Sequence, residues 1–245
     1  MGVSTIDRAA CLSRWRKRPV AEKALLSLGM LVLAIALPPW PGAAMVGLAM
    51  LAVTFLAARV PFGIWCAAAA APAGFLLTGA ATLLVSLGPH GLALAPEGAA
   101  QAGLLVLRSM AALSCLLLLS LTTPVTDLLS GLRRLGVPRD IVEVALLMYR
   151  FLFLLADQAL AMNHAQQARL GHSTRRRWLR SLGRLVANLL PQTLDRARRL
   201  EAGLAARGWE GEMRVLGDAP AASPAILLAI AGLEAALATA GVWLS

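Results

Sequence analysis

Long stretches without a formal charge alternate along this chain with short basic ones. The first charge-free run covers residues 24–58, between Lys23 and Arg59, and Pro38-Pro39-Trp40-Pro41-Gly42 interrupts it. A membrane span needs roughly twenty apolar residues, so this run is too long for one helix and tight for two. Proline inside a helix removes a hydrogen bond and clashes with the preceding turn. Two short helices with the proline cluster as their outer turn are therefore expected. A second run, 60–96, predicts a span over about 64–87 that leaves through Gly88-Pro89-His90-Gly91. Its alanines 67–71, with Gly74 and Gly79, are the small residues that let membrane helices approach closely. Further spans are predicted over about 100–121 and 225–244.

Two of these spans carry a charge. Arg108 lies in the fourth and Glu234 in the last. A charge in lipid is costly, so each is expected to face protein, and each is a candidate for structural pairing or for function.

The segment between the last two spans reads as helices. Thr122-Thr123-Pro124 predicts a threonine cap followed by proline in the first turn, opening a helix that ends at Gly136-Val137-Pro138. A long helix follows, with Ile141, Val144, Ala145, Met148, Leu152 and Leu155 as an apolar stripe. Its nearly unbroken apolar part, 144–156, interrupted only by Arg150, is too short and too charged to cross a bilayer and is expected to lie beneath the spans and bury against them. The run Arg175-Arg176-Arg177 is expected to be a solvated turn near lipid headgroups. A third helix presents Leu179, Leu182, Val186, Leu189 and Leu190, with Pro191 expected to bend it.

Both long helices close in the same way. Ala168-Arg169 precedes Leu170-Gly171, and Ala206-Arg207 precedes Gly208. Glycine tolerates the left-handed conformation that stops a helix, so Gly171 and Gly208 are expected to end the two helices and leave two guanidinium groups at exposed tips. Basic residues also favour helix C-termini for the dipole alone. The repetition on either side of an arginine-rich loop is what points to a surface presented to an acidic groove. Trp209 just beyond is expected to staple the second tip or enter that groove.

Composition agrees with a bilayer. Hydrophobic residues make up 58% of the 245 and charged ones 15%, with a mean hydropathy of +0.70, whereas soluble domains carry about a quarter charged residues. The net charge of +10 is explained by basic flanks beside the spans, and no aromatic interleaving suggests nucleic acid. The first 23 residues hold six basic groups and residues 124–218 hold fifteen, while 38–42 and 88–99 hold none. The positive-inside rule then puts the N-terminus and the long segment in the cytoplasm, and five spans leave the C-terminus outside. Cys11, Cys66 and Cys115 are far apart, as are His90, His164 and His172, and no pair has metal-site spacing. No phosphate loop, nucleophile elbow or zinc-protease motif occurs, so neither catalytic residues nor a bound metal or cofactor is expected in this chain.

The fold class expected is an all-α membrane protein of about five spans, with a cytoplasmic domain of about three helices before the last one. The expected divisions are 1–23 (basic N-terminus), 24–121 (four spans), 122–210 (helical domain), 211–224 (linker) and 225–245 (last span).

Thr122-Thr123-Pro124, Asp127-Leu128-Leu129, Leu135-Gly136-Val137-Pro138, Tyr149-Arg150 and the two arginine tips occur in order. In these motifs the chain resembles the transmembrane energy-coupling component of energy-coupling factor importers, and most closely their cobalt-transport branch, CbiQ. The resemblance implies a non-catalytic subunit that works with two cytoplasmic ABC ATPases, which bind the ATP. It also implies a metal-binding, CbiM-like membrane subunit that captures the substrate, with a small accessory membrane subunit as a further partner. Carried over, Arg169 and Arg207 are the tips that dock into the ATPases, and Ala168, Ala206 and Gly208 are the small neighbours that allow close approach. Leu170 departs from the family's Ala-Arg-Gly at the first tip. Cobalt, nickel and vitamin importers all share this arrangement, and a membrane scaffold with a basic cytoplasmic domain is the reading from another class.

Overall fold

The computed structural model describes residues 3–88, 91–94, 98–208 and 222–243. Among these, nine helices account for nearly all the regular structure. They are α1 Val3–Leu12, α2 Val20–Ala36, α3 Pro39–Ala57, α4 Phe62–Leu83, α5 Gly98–Thr122, α6 Val125–Arg134, α7 Arg139–Ala168, α8 Arg175–Ala205 and α9 Pro224–Trp243. The chain forms two compact units, Met1–Gly131 with Asp218–Ser245, and Leu132–Gly217. The boundary falls inside α6. Trp209 and residues 210–221, where the stapling contact and most of the linker were expected, lie outside the described residues.

In the first unit α5 is the central helix, packed against α1, α2, α3 and α4, while α9 packs on α2. Met30 and Ala34 of α2, Val46 and Met50 of α3, and Cys115 and Leu118 of α5 form its apolar core. The proline cluster makes the α2–α3 turn as expected: α2 ends at Ala36, Trp40 has extended angles (φ −122°, ψ 124°), and regular α-helix resumes at Ala44. Thr54 and Val53 lie in a wider turn that closes α3, with the Ala58 N–H bonded to the Val53 carbonyl.

The pairing of α2 with α5 is held by charge at both ends. Near the start of α2, the Lys23 Nζ donates to the carbonyl of Thr122, the last residue of α5, at 3.0 Å. From within α5, the Arg108 Nη2 donates to the carbonyl of Leu37, just past the end of α2, at 2.7 Å. The last carbonyls of a helix have no partner of their own and form the negative end of its dipole. Each helix thus supplies the cation that caps the other. Between them, Ser27 Oγ donates to the Cys115 carbonyl.

Several expectations are corrected. The span predicted over 64–87 stops at Leu83, and Val85–Gly88 pairs antiparallel with Gly91–Leu94. A short apolar run has no period that separates strand from helix. Among the described residues, five helices are by length and composition able to cross a membrane: Pro39–Ala57, Phe62–Leu83, Gly98–Thr122, Arg139–Ala168 and Pro224–Trp243. Four match expected spans. The first expected span, α2, has 17 residues and α7 takes its place in the set. Ala159, Leu160, Ala161 and Met162 continue α7 past Asp157, which carries its apolar stretch beyond the stop read at residue 156. The alanine run of α4 is also less covered than expected: Ala69 is buried, but Ala67, Ala70, Ala71, Gly74 and Gly79 are exposed.

The second unit is built on the pairing of α7 with α8. Gln158 Nε2 donates to Gln192 Oε1 across that contact. Pro191 lies within a helix that continues from Arg175 to Ala205.

Candidate functional site

The ends of α7 and α8 are the sites singled out by sequence, and both tips lie in the second unit. At the first, the Arg169 N–H bonds to the Gln166 carbonyl at 3.2 Å and the Leu170 N–H to Gln167 at 2.9 Å. The Gly171 N–H then returns to Gln166 at 2.9 Å. This six-to-one and five-to-two pair of bonds satisfies the last carbonyls of α7 and requires a left-handed residue between them. That residue is Leu170, at φ 55°, and not Gly171. The expectation for Gly171 is therefore corrected.

Gly171 serves a different purpose. A Cβ there would stand 2.6 Å from Ser181 Oγ and 2.8 Å from the Gln166 carbonyl oxygen. The bare backbone lets Ser181 Oγ donate to the Gly171 carbonyl at 3.2 Å, tying the start of α8 to the end of α7.

At the second tip the Arg207 N–H bonds to the Leu204 carbonyl and the Gly208 N–H to Ala205, each at 3.0 Å, and Gly208 takes φ 69°. Both arginines are thus followed at once by a left-handed residue. The departure from Ala-Arg-Gly at the first tip leaves the backbone pattern unchanged. Ala168, Arg169, Ala206, Arg207 and Gly208 are all exposed. Among the described residues, the side chains of Arg169 and Arg207 make no hydrogen bond or ion pair, so both guanidinium forks are free to meet carboxylates in the bidentate geometry that arginine favours.

The arginine run is placed differently from its expectation. Arg175–Arg177 form the first turn of α8 and not a turn before it. Thr174 caps that helix by accepting from the Arg177 N–H at 3.3 Å, and the Arg177 guanidinium reaches Ser173 Oγ at 3.0 Å. The apolar stripe of α7 is also uncovered: Ile141, Val144, Met148 and Leu152 are exposed, with Met148 at 67%. Leu179, Leu182, Val186 and Leu190 of α8 are exposed as well, while Leu185, Leu189, Leu200 and Leu204 are half-buried. The second unit therefore carries apolar surface in addition to its basic tips.

The intramembrane candidates both face protein. Arg108 caps α2, as described, and its Nε is buried without a partner. Glu234 of α9 lies against Gly29 of α2, where a Cβ would collide with its carboxyl, and its Oε1 is buried without a partner.

Three polar residues that hold the first unit together escaped the sequence reading. Lys23 and Glu22 mark the edge of an apolar run, yet they are only 2% and 4% exposed. Glu22 Oε1 accepts from the Ser223 N–H at 3.0 Å, placing a carboxylate at the positive end of α9. The threonine cap expected for α6 is likewise replaced: Thr122 Oγ1 donates back to Leu118 within α5, and Asp7 Oδ1 accepts from the Val125 N–H at 3.3 Å. Pro124 has no N–H, so Val125 carries the first donor that needs a partner. Opposite charge beside a helix terminus was the signal available in the sequence, but its partners lie 99 to 201 residues away.

Among the described residues no cluster of three metal-ligating side chains occurs. Comparison with known proteins gives a consistent result. Residues 12–216 match the family described as cobalt transport protein, CbiQ. The chain is 59% identical over 244 residues to the cobalt transport protein CbiQ of Rhodobacter capsulatus, covering all of both chains. It is 33% identical to the cobalt transport protein CbiQ of Salmonella typhimurium, covering 86% of this chain and 99% of that one. A fused cobalt transport protein of Methanocorpusculum labreanum, described as a putative CbiMQ, is 30% identical over 46% of this chain and 19% of its own length.

Proposed function

The chain belongs to the CbiQ cobalt transport protein family and is a multi-pass membrane protein, and from that premise we propose that it is the energy-coupling subunit of an ATP-driven cobalt importer. Two cytoplasmic ABC ATPases bind and hydrolyse the ATP, and a separate metal-binding membrane subunit takes up the ion. This chain carries the ATPases' closing motion to that subunit. The observation that carries the proposal is the matched pair of tips, Arg169 and Arg207, each exposed, without a side-chain partner among the described residues, and followed by a left-handed residue. Two such forks on one helix pair fit two equivalent acidic grooves, one on each ATPase.

The rest of the second unit suits the same role. Gln158 with Gln192 and Ser181 with Gly171 fasten α7 to α8, so a push on either tip moves both helices. The uncovered stripes of α7 and α8 supply apolar surface through which that movement reaches a membrane partner. The fused relative joins the two names, CbiM and CbiQ, in one chain, which supports a CbiM-like partner here. In this reading the N-terminus and the second unit are cytoplasmic, by the excess of basic residues before Ala24 and between Pro124 and Asp218. Basic residues flank α7 at both ends, Arg139 and Arg169, so that helix, although long and apolar enough to cross, stays on the same side, and α2 is the first span. No step requires a metal or cofactor on this chain.

The direct test is affinity purification of the tagged chain from its own membrane in mild detergent, followed by mass spectrometry. Recovery of one or two P-loop ATPases with a second multispanning subunit supports the importer, and cobalt-dependent stabilisation of that subunit supports the substrate. Recovery of this chain alone, with an ATP analogue present, contradicts the proposal.

A further inference from the structure

A groove of about 370 Å³ lies in the first unit where the starts of α2 and α9 meet the end of α3. Its walls are apolar: Leu26 of α2, Val53 of α3, and Ile226, Ile230 and Leu233 of α9. Trp15 and Arg18, from the short turn Arg14–Lys17 and its last cap, close the polar end. The Arg18 guanidinium sits 4.9 Å from the centre of the Trp15 ring. Apart from that stacking, its side chain makes no hydrogen bond or ion pair among the described residues. Two other charges reach the groove, and both are already engaged: Lys23 Nζ on the Thr122 carbonyl and Glu22 Oε1 on the Ser223 N–H.

We propose that this groove binds one molecule of an anionic phospholipid, with an acyl chain along α2 and α9 and the phosphate on Arg18. An apolar slot ending in a free guanidinium and a tryptophan repeats the order of a lipid, from tail to interface to headgroup. The sign of the headgroup follows from charge. Arg14, Arg16, Lys17 and Arg18 are all exposed within five residues, and the nearby carboxylate of Glu22 is turned into a backbone N–H. The groove's volume falls in the range of about 300–1,000 Å³ typical of small-molecule pockets. A lipid here fills the crease between α2, α3 and α9 and provides a counter-charge that the basic turn does not find among the described residues.

The full-length chain is reconstituted in phosphatidylcholine vesicles containing either phosphatidylglycerol or phosphatidylcholine brominated on the acyl chains, and tryptophan quenching is recorded. The chain has six tryptophans, so the Trp15 component is taken as the difference from Trp15→Phe. Brominated phosphatidylglycerol is expected to quench that component at a lower mole fraction than brominated phosphatidylcholine. Arg18→Ala, an exposed position, raises the half-quenching fraction of the anionic lipid roughly fivefold and leaves that of the zwitterionic one unchanged. Ala229→Phe fills the groove without touching a charge and abolishes the specific quenching. Equal quenching by the two lipids, or an Ala229→Phe response equal to that of the unmodified chain, overturns the assignment. Trp15 that is open to lipid in the isolated chain but shielded from both lipids in the assembled transporter places a partner's helix in the groove, and also overturns it.

Discussion

Leu170 and Gly208 occupy the same backbone position at the two tips, one residue beyond an arginine, with φ of 55° and 69°. One carries a side chain that the left-handed region disfavours, and the other does not. The left-handed conformation costs a non-glycine residue about 1–2 kcal/mol, partly offset by the chain entropy that glycine loses on folding. Leu170→Gly is therefore expected to stabilise the second unit slightly, by about 1 kcal/mol at most, and Gly208→Val to destabilise it by about the same amount or more. Thermal unfolding of the purified chain in detergent measures both shifts, which have opposite signs.

Gly171 and Ser181 give a coupled pair. Ser181→Ala removes one hydrogen bond to the Gly171 carbonyl and is expected to cost about 1 kcal/mol. Gly171→Ala drives a methyl group against Ser181 Oγ and the Gln166 carbonyl and is expected to cost about 1–3 kcal/mol. The double variant should lose less than the sum, because removing the hydroxyl relieves part of the clash. A double-mutant cycle in unfolding free energy checks this, and strict additivity would place the crowding elsewhere.

Lys23 and Arg108 cap each other's helix ends, so either loss should loosen the α2–α5 pairing. Lys23→Met leaves the Thr122 carbonyl without its charged donor, at an expected cost of about 1.5–3 kcal/mol. Arg108→Met does the same at Leu37. Denaturation in mixed micelles should show both variants destabilised, with ATPase retention unaffected in whatever fraction remains folded. Lost retention at full stability would instead assign Arg108 a role in coupling.

The helix ends were legible because proline and glycine act locally. Pro38–Pro41 broke the first run, Gly136-Val137-Pro138 separated α6 from α7, and the two arginine tips stood before glycines. The cost of a charge in lipid was likewise enough to turn Arg108 and Glu234 inward. What stayed hidden depends on residues far apart. Lys23 reads as a boundary until the end of α5 is brought beside it, and Asp7 as an ordinary surface acid until α6 begins next to it. At the first tip the local preference for glycine pointed to residue 171. Ser181 and the Gln166 carbonyl require glycine there for space, which leaves the left-handed position to Leu170.

Glu234 presents a buried Oε1 with no donor against Gly29. An unpaired buried carboxylate costs more than a neutral amide of the same shape. Glu234→Gln is therefore expected to raise the melting temperature of the purified chain, whereas Gly29→Ala, which puts a methyl group into the carboxyl, lowers it. A Glu234→Gln variant that melts lower would mean that the carboxylate has a partner in the assembled protein.

The most direct measurement is the amount of ATPase that co-purifies with tagged chain carrying Arg169→Ala and Arg207→Ala together, compared with the unmodified chain and with the double lysine variant. Circular dichroism and gel-filtration profiles serve as the control for folding. Docking through the two forks requires that the alanine variant lose the ATPases while staying folded, and that lysine, a point charge without the planar fork, restore them only in part. ATPase retained in full by the folded double-alanine variant would contradict the central claim that these two arginines carry the coupling.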